Sequence, residues 1–375
     1  MIPKNLWIHL TKRLDQSNIQ TTRRYNSQLF SSKFPFLEKP AAKKIGAYIL
    51  DKSLAETIVK SLVAANQLKQ DVTPWLEVNP GPGYLSEALL EAGIRSLTVV
   101  ERRQEFMPYL QRLKTQYPDF SFHQKDFFNR GALQKEVHEF FREVVPNLQI
   151  HSFNEKPPLK IIVSPGIAYE RRLIKILLNQ LLISSISLFS YGRMEFIMIL
   201  SSLEKQRLML KWPISAFAYR ERNALFSLMF DVDFLQKIDP GGIFPPQVVS
   251  NYKKKTKQGQ QVSESLHVVR ITPKEGLFTH LFNQRHLPMF AFFVKEMLVK
   301  RSQRLIPKME VFFPGCGLQM IDEGYTMDQI TGDISPDDFV KLFKNVLSWP
   351  DFEESNFISL YRRFQGEHIT DIDVS

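Results

Sequence analysis

Apolar residues return along this chain in two rhythms. Short unbroken runs, such as Trp75 to Val78 and Leu97 to Val100, alternate with longer stretches where apolar positions recur every three or four residues. The short runs read as strands buried on both faces, and the longer rhythm reads as helices with one face in a core. Strands are predicted at 75–78, 97–100, 120–123, 159–163 and 195–200, with a last antiparallel pair at 234–238 and 266–271. Helices are predicted over 43–63, 84–92, 104–116, part of 130–158, and around Ile174. From Phe278 onward the rhythm is helical, with Phe290, Phe292, Phe293, Met297 and Leu298 at helix spacing. Strands alternating with helices imply a mostly parallel α/β sheet covered on both faces. The chain therefore divides into a leader at 1–34, a Rossmann-like domain with a seven-stranded sheet at 35–273, and a small helical domain at 274–375.

The first two strands end in unusual punctuation. Leu76-Glu77-Val78-Asn79-Pro80-Gly81-Pro82-Gly83-Tyr84-Leu85 reads as strand, tight turn and helix start. Gly81 and Gly83 let backbone approach a ligand where a Cβ would collide. Glu101 ends the next strand, where a carboxylate can accept both hydroxyls of a ribose. Asp126 follows the third strand, where it can reach the exocyclic amine of an adenine. Open α/β sheets bind ligands at this carboxyl edge. The turn lacks G-x-x-x-x-G-K-[ST], and Pro82 sets it apart from G-x-G-x-x-G, so it suits S-adenosylmethionine better than a dinucleotide. Taken alone, Glu101 also reads as a surface acid paired with Arg102 or Arg103.

Charge adds a second theme. Residues 1–34 hold six cations against the single acid Asp15 and are rich in Thr, Ser, Asn and Gln. That composition predicts a mitochondrial transit peptide, with a basic arm touching nucleic acid as the alternative. The whole chain carries a net charge of +10, of which the leader supplies five. Residues 251–309 hold 12 Lys/Arg against 3 Asp/Glu, and residues 310–375 hold 4 against 13. A basic segment beside an acidic tail suggests a polyanion-facing surface and a separate acidic face. The cluster Lys253, Lys254, Lys255 and Lys257, with Arg301 and Arg304, supplies candidate phosphate contacts. No apolar run reaches the ~20 residues that span a bilayer, so no membrane role is expected. The single cysteine, Cys316, excludes an intrachain disulfide and reads as a small core residue. No metal site is expected.

At this point the chain resembles a known family, the rRNA adenine dimethyltransferases. Glu77 to Gly83 is similar to that family's E-x-G-P-G-x-G turn, and Tyr191-Gly192-Arg193-Met194 to its Y-G-R-L. Phe244-Pro245-Pro246 with Leu266-His267-Val268-Val269-Arg270 resembles its F-x-P-P-P-x-V-x-S-A-V-V-R-L close. The similarity covers about residues 43–275, and the helical tail fits more loosely. It implies a class I S-adenosylmethionine-dependent methyltransferase fold, with Leu50, Glu77, Asn79, Gly81, Gly83, Glu101 and Asp126 at the cofactor. Asn79 and Asp126-Phe127-Phe128 point to a mitochondrial branch that acts in transcription initiation.

The departures from the family pattern carry the functional expectation. Where the family has L-G-Q-x-F-L, this chain has Ile45-Gly46-Ala47-Tyr48-Ile49-Leu50, so the cofactor-side amide is missing. Where the family has N-[LI]-P-[YF], whose asparagine accepts the target amine's protons and whose ring stacks on the flipped base, this chain has Val163-Ser164-Pro165-Gly166. The resemblance and its losses together imply weak or lost methyl transfer. They imply a mitochondrial initiation factor in the matrix nucleoid, partnered with the mitochondrial RNA polymerase and the melted strand of promoter DNA. The alternative is an active adenine N(6),N(6)-dimethyltransferase of mitochondrial small-subunit rRNA. Tyr169, three residues past Gly166, is a candidate replacement for the lost ring.

Overall fold

The computed structural model describes residues 32–38, 47–65, 72–128, 137–182, 187–209, 219–245, 265–283 and 285–374. They fall into two compact units, one within residues 1–177, 186–206 and 232–272, the other within 178–185, 207–231 and 273–375.

In chain order the elements up to residue 273 are β1 (Tyr48–Ile49), α1 (Lys52–Ala64), β2 (Trp75–Val78), α2 (Tyr84–Glu91), β3 (Leu97–Val100), α3 (Met107–Gln116), β4 (Ser121–His123), α4 (Val137–Val144), β5 (Lys160–Val163), α5 (Ile167–Leu182), β6 (Glu195–Ser201), α6 (Ser202–Leu208), α7 (Glu221–Met229), β7 (Phe230–Ile238), β8 (Ile243–Phe244) and β9 (Leu266–Pro273). Seven strands form one sheet in the order β4-β3-β2-β5-β6-β9-β7. The β4-β3-β2-β5-β6 run is parallel, and β9 enters antiparallel to β6. This is the mostly parallel Rossmann-like sheet that the alternating rhythm predicts. β2 and β5 are buried at every position, as strands covered on both faces must be.

Register positions the functional edge. Val78 pairs with Val100 on one side and with Val163 on the other. The residues that follow these three strands, Asn79, Glu101 and Ser164, therefore emerge abreast at one edge.

One element differs from expectation. The helix predicted over 43–63 begins only at Lys52, where Asp51 caps it by accepting the Leu54 N–H at 2.8 Å. Ala47 to Leu50 is extended instead, and residues 43–46 lie outside the described residues. The reason is tertiary. Tyr48 and Ile49 pair antiparallel with Phe244 and Ile243, while the N–H groups of Ala47 and Leu50 donate to the carbonyls of Ser164 at 3.0 Å and Gly242 at 2.8 Å. Those partners satisfy the backbone outside a helix.

The second unit is helical. It contains α8 (His286–Leu298), α9 (Leu305–Phe312), α10 (Gly317–Asp322), α11 (Pro336–Leu347) and α12 (Asn356–Val374). Helix α8 is apolar over most of its surface, with Leu287, Met289, Phe290, Phe292, Phe293, Val294 and Met297 buried, as a helix packed on several sides must be. Much of the chain's phenylalanine is spent here. The Phe343 ring lies 5.2 to 5.6 Å from those of Phe293, Phe282 and Phe290, and further rings at Phe352 and Phe357 extend the cluster. Cys316 is buried in this unit and its thiol is pushed up to about 11 by burial, in keeping with a core residue. Among the described residues no helix is long and apolar enough to cross a membrane.

Phe343→Ala is expected to destabilise the helical unit by about 3–5 kcal/mol, through lost burial and the cavity left behind. Urea unfolding followed by far-UV circular dichroism checks this, and a loss under about 1 kcal/mol would show that the cluster re-packs around the gap.

Candidate functional site

The site grows from the turn after β2. Asn79 adopts a left-handed backbone at φ 57°, and Gly81 and Gly83 follow at φ 60° and 83°. Asparagine is among the residues that tolerate this conformation, and glycine adopts it freely. Space reinforces the choice at Gly83, where a Cβ would sit 2.5 Å from Leu113 Cδ1 on α3. At Gly81 a Cβ would meet the Tyr48 ring at 3.0 Å.

Two carboxyls brace the turn from within. Glu77, buried on β2, accepts the Ser86 hydroxyl at 2.6 Å. Burial raises its pKa to about 8. Glu101, fully buried at the tip of β3, accepts the Gly81 N–H at 3.1 Å and the Arg103 N–H at 2.8 Å. Burial raises this carboxyl to about 7, against the lowering effect of those two N–H groups. The alternative of a surface acid paired with arginine side chains does not hold for Glu101. The Arg103 guanidinium pairs with Glu105 at 2.9 Å instead. Asp126 is half-buried, accepts the Phe128 N–H at 2.9 Å, and lies 3.9 Å from Arg102.

β5 ends at Val163, which is buried, and the carbonyl of the following Ser164 accepts the Ala47 N–H. Gly166 is left-handed at φ 71°, and its carbonyl accepts the N–H groups of Tyr169 and Glu170 at the start of α5. Tyr169 is half-buried, with its ring 6.1 Å from that of Phe128.

Sequence reasoning missed what covers the turn. Phe34, Leu37, Tyr48, Leu50, Phe106 and Phe244 form a buried cluster, with Phe36 packed against it. The Tyr48 ring centroid lies 5.1 Å from that of Phe106, and Phe106 lies 5.9 Å from Phe34. Leu50 thus stands in an apolar cluster flanking the turn. The available signal was Tyr48 itself, at the variable position of the resembled L-G-Q-x-F-L motif. Asn79 was also under-read. Its side chain is buried, and neither polar atom of the amide has a protein partner.

These facts test the fit of S-adenosylmethionine. The polar groups suit a nucleoside, because Glu101 keeps lone pairs beyond the two it has engaged, and Asn79 has an amide to satisfy. A cavity of about 10 Å³, room for about one water, lies beside the turn and is lined by Ala47, Asn79, Val163 and Ser164; Gly81, Gly83, Glu101 and Asp126 do not line it. The groups at the strand tips thus fit the nucleoside part of the cofactor.

The nucleic-acid candidates separate. Lys253, Lys254, Lys255 and Lys257 lie outside the described residues. Arg301 is half-buried in the helical unit and donates from Nη1 to the Tyr219 carbonyl at 3.0 Å. Arg304 is exposed just ahead of α9.

The sheet order, the glycine turn and the acid at the next strand tip define a Rossmann-like methyltransferase scaffold. The chain belongs to the ribosomal RNA adenine dimethylase family, whose model matches residues 46–347 and so reaches past the resemblance at 43–275 into the helical unit. Among its relatives is the mitochondrial dimethyladenosine transferase 2 of Drosophila melanogaster, 26% identical over 330 residues, covering 76% of this chain and 72% of that protein. The mouse protein of the same name is 28% identical over 316 residues, covering 80% and 76%. A solved dimethyladenosine transferase from Plasmodium falciparum is similar at 11% identity and a TM-score of 0.49, covering 77% of this chain and 94% of that one. The mitochondrial branch indicated by Asn79 and Asp126-Phe127-Phe128 is thus the one these relatives carry.

Both raised carboxyls hold their protons more tightly folded than unfolded, so stability falls as pH rises from about 4.5 through 7 and 8. Glu77→Gln should remove much of that fall. Relative to the parent protein it should gain stability steadily from about pH 5 to about pH 8, reaching on the order of a few kcal/mol. Thermal unfolding across that range is the check, and parallel curves for the two proteins would place the buried proton elsewhere.

Proposed function

We propose that this chain is a mitochondrial transcription initiation factor, of the branch also called transcription factor B. It helps the mitochondrial RNA polymerase melt promoter DNA and holds one unpaired strand. The observation that carries this reading is the tip of β5. Valine at 163 accepts no hydrogen bond from a target amine, and glycine at 166 offers no ring. Stacking on an aromatic ring is worth ~1–3 kcal/mol per base, and each ~1.4 kcal/mol is tenfold in rate. Localisation follows the relatives, which are named as mitochondrial, and the matrix nucleoid is where such a factor would act. Lys253 to Lys257, with Arg304, would contribute salt-dependent, sequence-blind phosphate contacts.

A second reading has its own support. Gly81, Gly83, Glu101 and Asp126 are retained in place, and the family's name is ribosomal RNA adenine dimethylase. On this reading the chain dimethylates adenines of mitochondrial small-subunit rRNA.

Run-off transcription with the cognate mitochondrial polymerase separates the two. The factor should be required on closed promoter duplex and largely dispensable on a pre-melted bubble. No effect on either template would remove the transcription reading. Efficient methyl transfer to an rRNA hairpin by the unaltered chain would establish the second.

A further inference from the structure

The helical unit carries a shallow, open apolar cleft that neither the nucleoside scaffold nor the strand-holding role explains. It has a volume of about 490 Å³ and lies along α9 and α10, lined by Ile306, Pro307, Glu310, Leu318, Ile321 and Met327. Leu318 is 80% exposed, Met327 54% and Ile321 44%. Scattered single apolar residues on a surface are ordinary, but three converging on one cleft mark an interaction site.

The cleft is held rigidly. Glu310, on α9, accepts the N–H groups of both Gly315 and Gly317 at 2.6 Å, which fixes the start of α10 against α9. A Cβ at Gly317 would lie 2.6 Å from Glu310 Oε1, so this approach needs glycine. Nothing in catalysis or in the core requires such a frame beneath exposed leucine, isoleucine and methionine side chains.

Charge selects the occupant. Glu310 lines the cleft, and the exposed acids Asp322, Glu323 and Asp328 directly follow its lining residues Ile321 and Met327 in the chain. Of the nearby cations, Lys308 is engaged with Glu296 at 3.7 Å and lies over the Phe312 ring, and the exposed Arg304 lies near enough to Asp328 to offset part of its charge, which leaves Asp322 and Glu323 as the acids that set the sign. An acidic border repels nucleic acid and anionic lipid alike. An apolar cleft with an acidic border instead suits a helix that lays leucine-type anchors into the groove and carries lysine or arginine beside them. We propose that this cleft docks the apolar face of a basic amphipathic helix belonging to a protein partner. The proposal goes beyond the promoter reading and does not depend on it.

The probe for the test is a fluorescein-labelled 18-residue helix of leucine and lysine in amphipathic register, titrated against the full chain by fluorescence anisotropy. A scrambled peptide of the same composition is the control. The chain's net charge of +10 repels a basic probe overall, so binding has to come from a local acidic, apolar surface. The amphipathic helix should bind and the scrambled one should not. Leu318→Glu and Met327→Glu should each weaken binding at least tenfold, even though each adds a charge that attracts the probe. Asp322→Lys should weaken it several-fold, more strongly at low salt. Both apolar positions are exposed, and an unchanged unfolding midpoint confirms that each variant is folded. Equal binding by parent and Leu318→Glu, or by amphipathic and scrambled peptides, overturns the proposal. So does displacement of the probe by a single-stranded oligonucleotide, which would make the cleft a nucleic-acid site. A dimer of the parent chain that Leu318→Glu converts to monomer in sedimentation velocity would assign the cleft to a second copy, and also overturns it.

Discussion

The buried carboxyl of Glu101 ties the functional edge of the first unit together. It stands at the tip of β3 yet accepts the N–H of Gly81, in the turn that follows β2. One side chain thus joins two adjacent strand ends and fixes the turn between them. The burial of that carboxyl has a cost, visible in a pKa raised to about 7, and a hydrogen-bonded network offsets it. Glu77 repeats the arrangement one layer deeper, joining β2 to α2 through Ser86. A turn braced in this way keeps its shape whether or not a ligand occupies it.

The same device recurs elsewhere in the chain. Glu170, on α5, accepts both the N–H and the hydroxyl of Ser201 at 2.7 and 2.6 Å, fastening a helix to the end of β6. Glu310 accepts two glycine N–H groups and fastens α10 to α9. In each case a carboxylate replaces water as the acceptor for backbone or hydroxyl donors at an element's end, where intrahelical or ladder partners run out. At Glu101 the result is a ligand-side turn, and at Glu310 it is the floor of an exposed cleft.

Much of the fold was legible because its strands are apolar throughout and its helices keep a 3.6-residue period. β2, β3 and β5 lie where their runs predict, and Phe290, Phe293 and Met297 are buried as their spacing implies. The turn was legible because Gly81 and Gly83 serve a local need that sequence displays. Two features were not. The segment Ala47 to Leu50 matched a helical rhythm by coincidence, and its extended state rests on carbonyls of Ser164 and Gly242, more than a hundred residues away. The aromatic cover was hidden for the same reason. Phe34, Phe106 and Phe244 become neighbours only once β1 pairs with β8. A buried acid at Glu101 was likewise indistinguishable from a surface one, since adjacent arginines offer a local partner that the fold does not use.

The losses at the tip of β5 run deeper than two side chains. Gly166 holds a left-handed backbone while its carbonyl starts α5. An aromatic residue placed there would face a cost of roughly 1–2 kcal/mol for that conformation before it stacked on anything. Val163 is buried at the end of β5, so an asparagine in its place would bury an amide that needs partners. Tyr48 meanwhile packs beside Gly81, backed by Phe106 and Phe34. An asparagine at 163 would therefore need new partners, and an aromatic residue at 166 would need a changed backbone. The two positions answer to different constraints, core packing at 163 and backbone conformation at 166, so neither substitution alone would supply both groups.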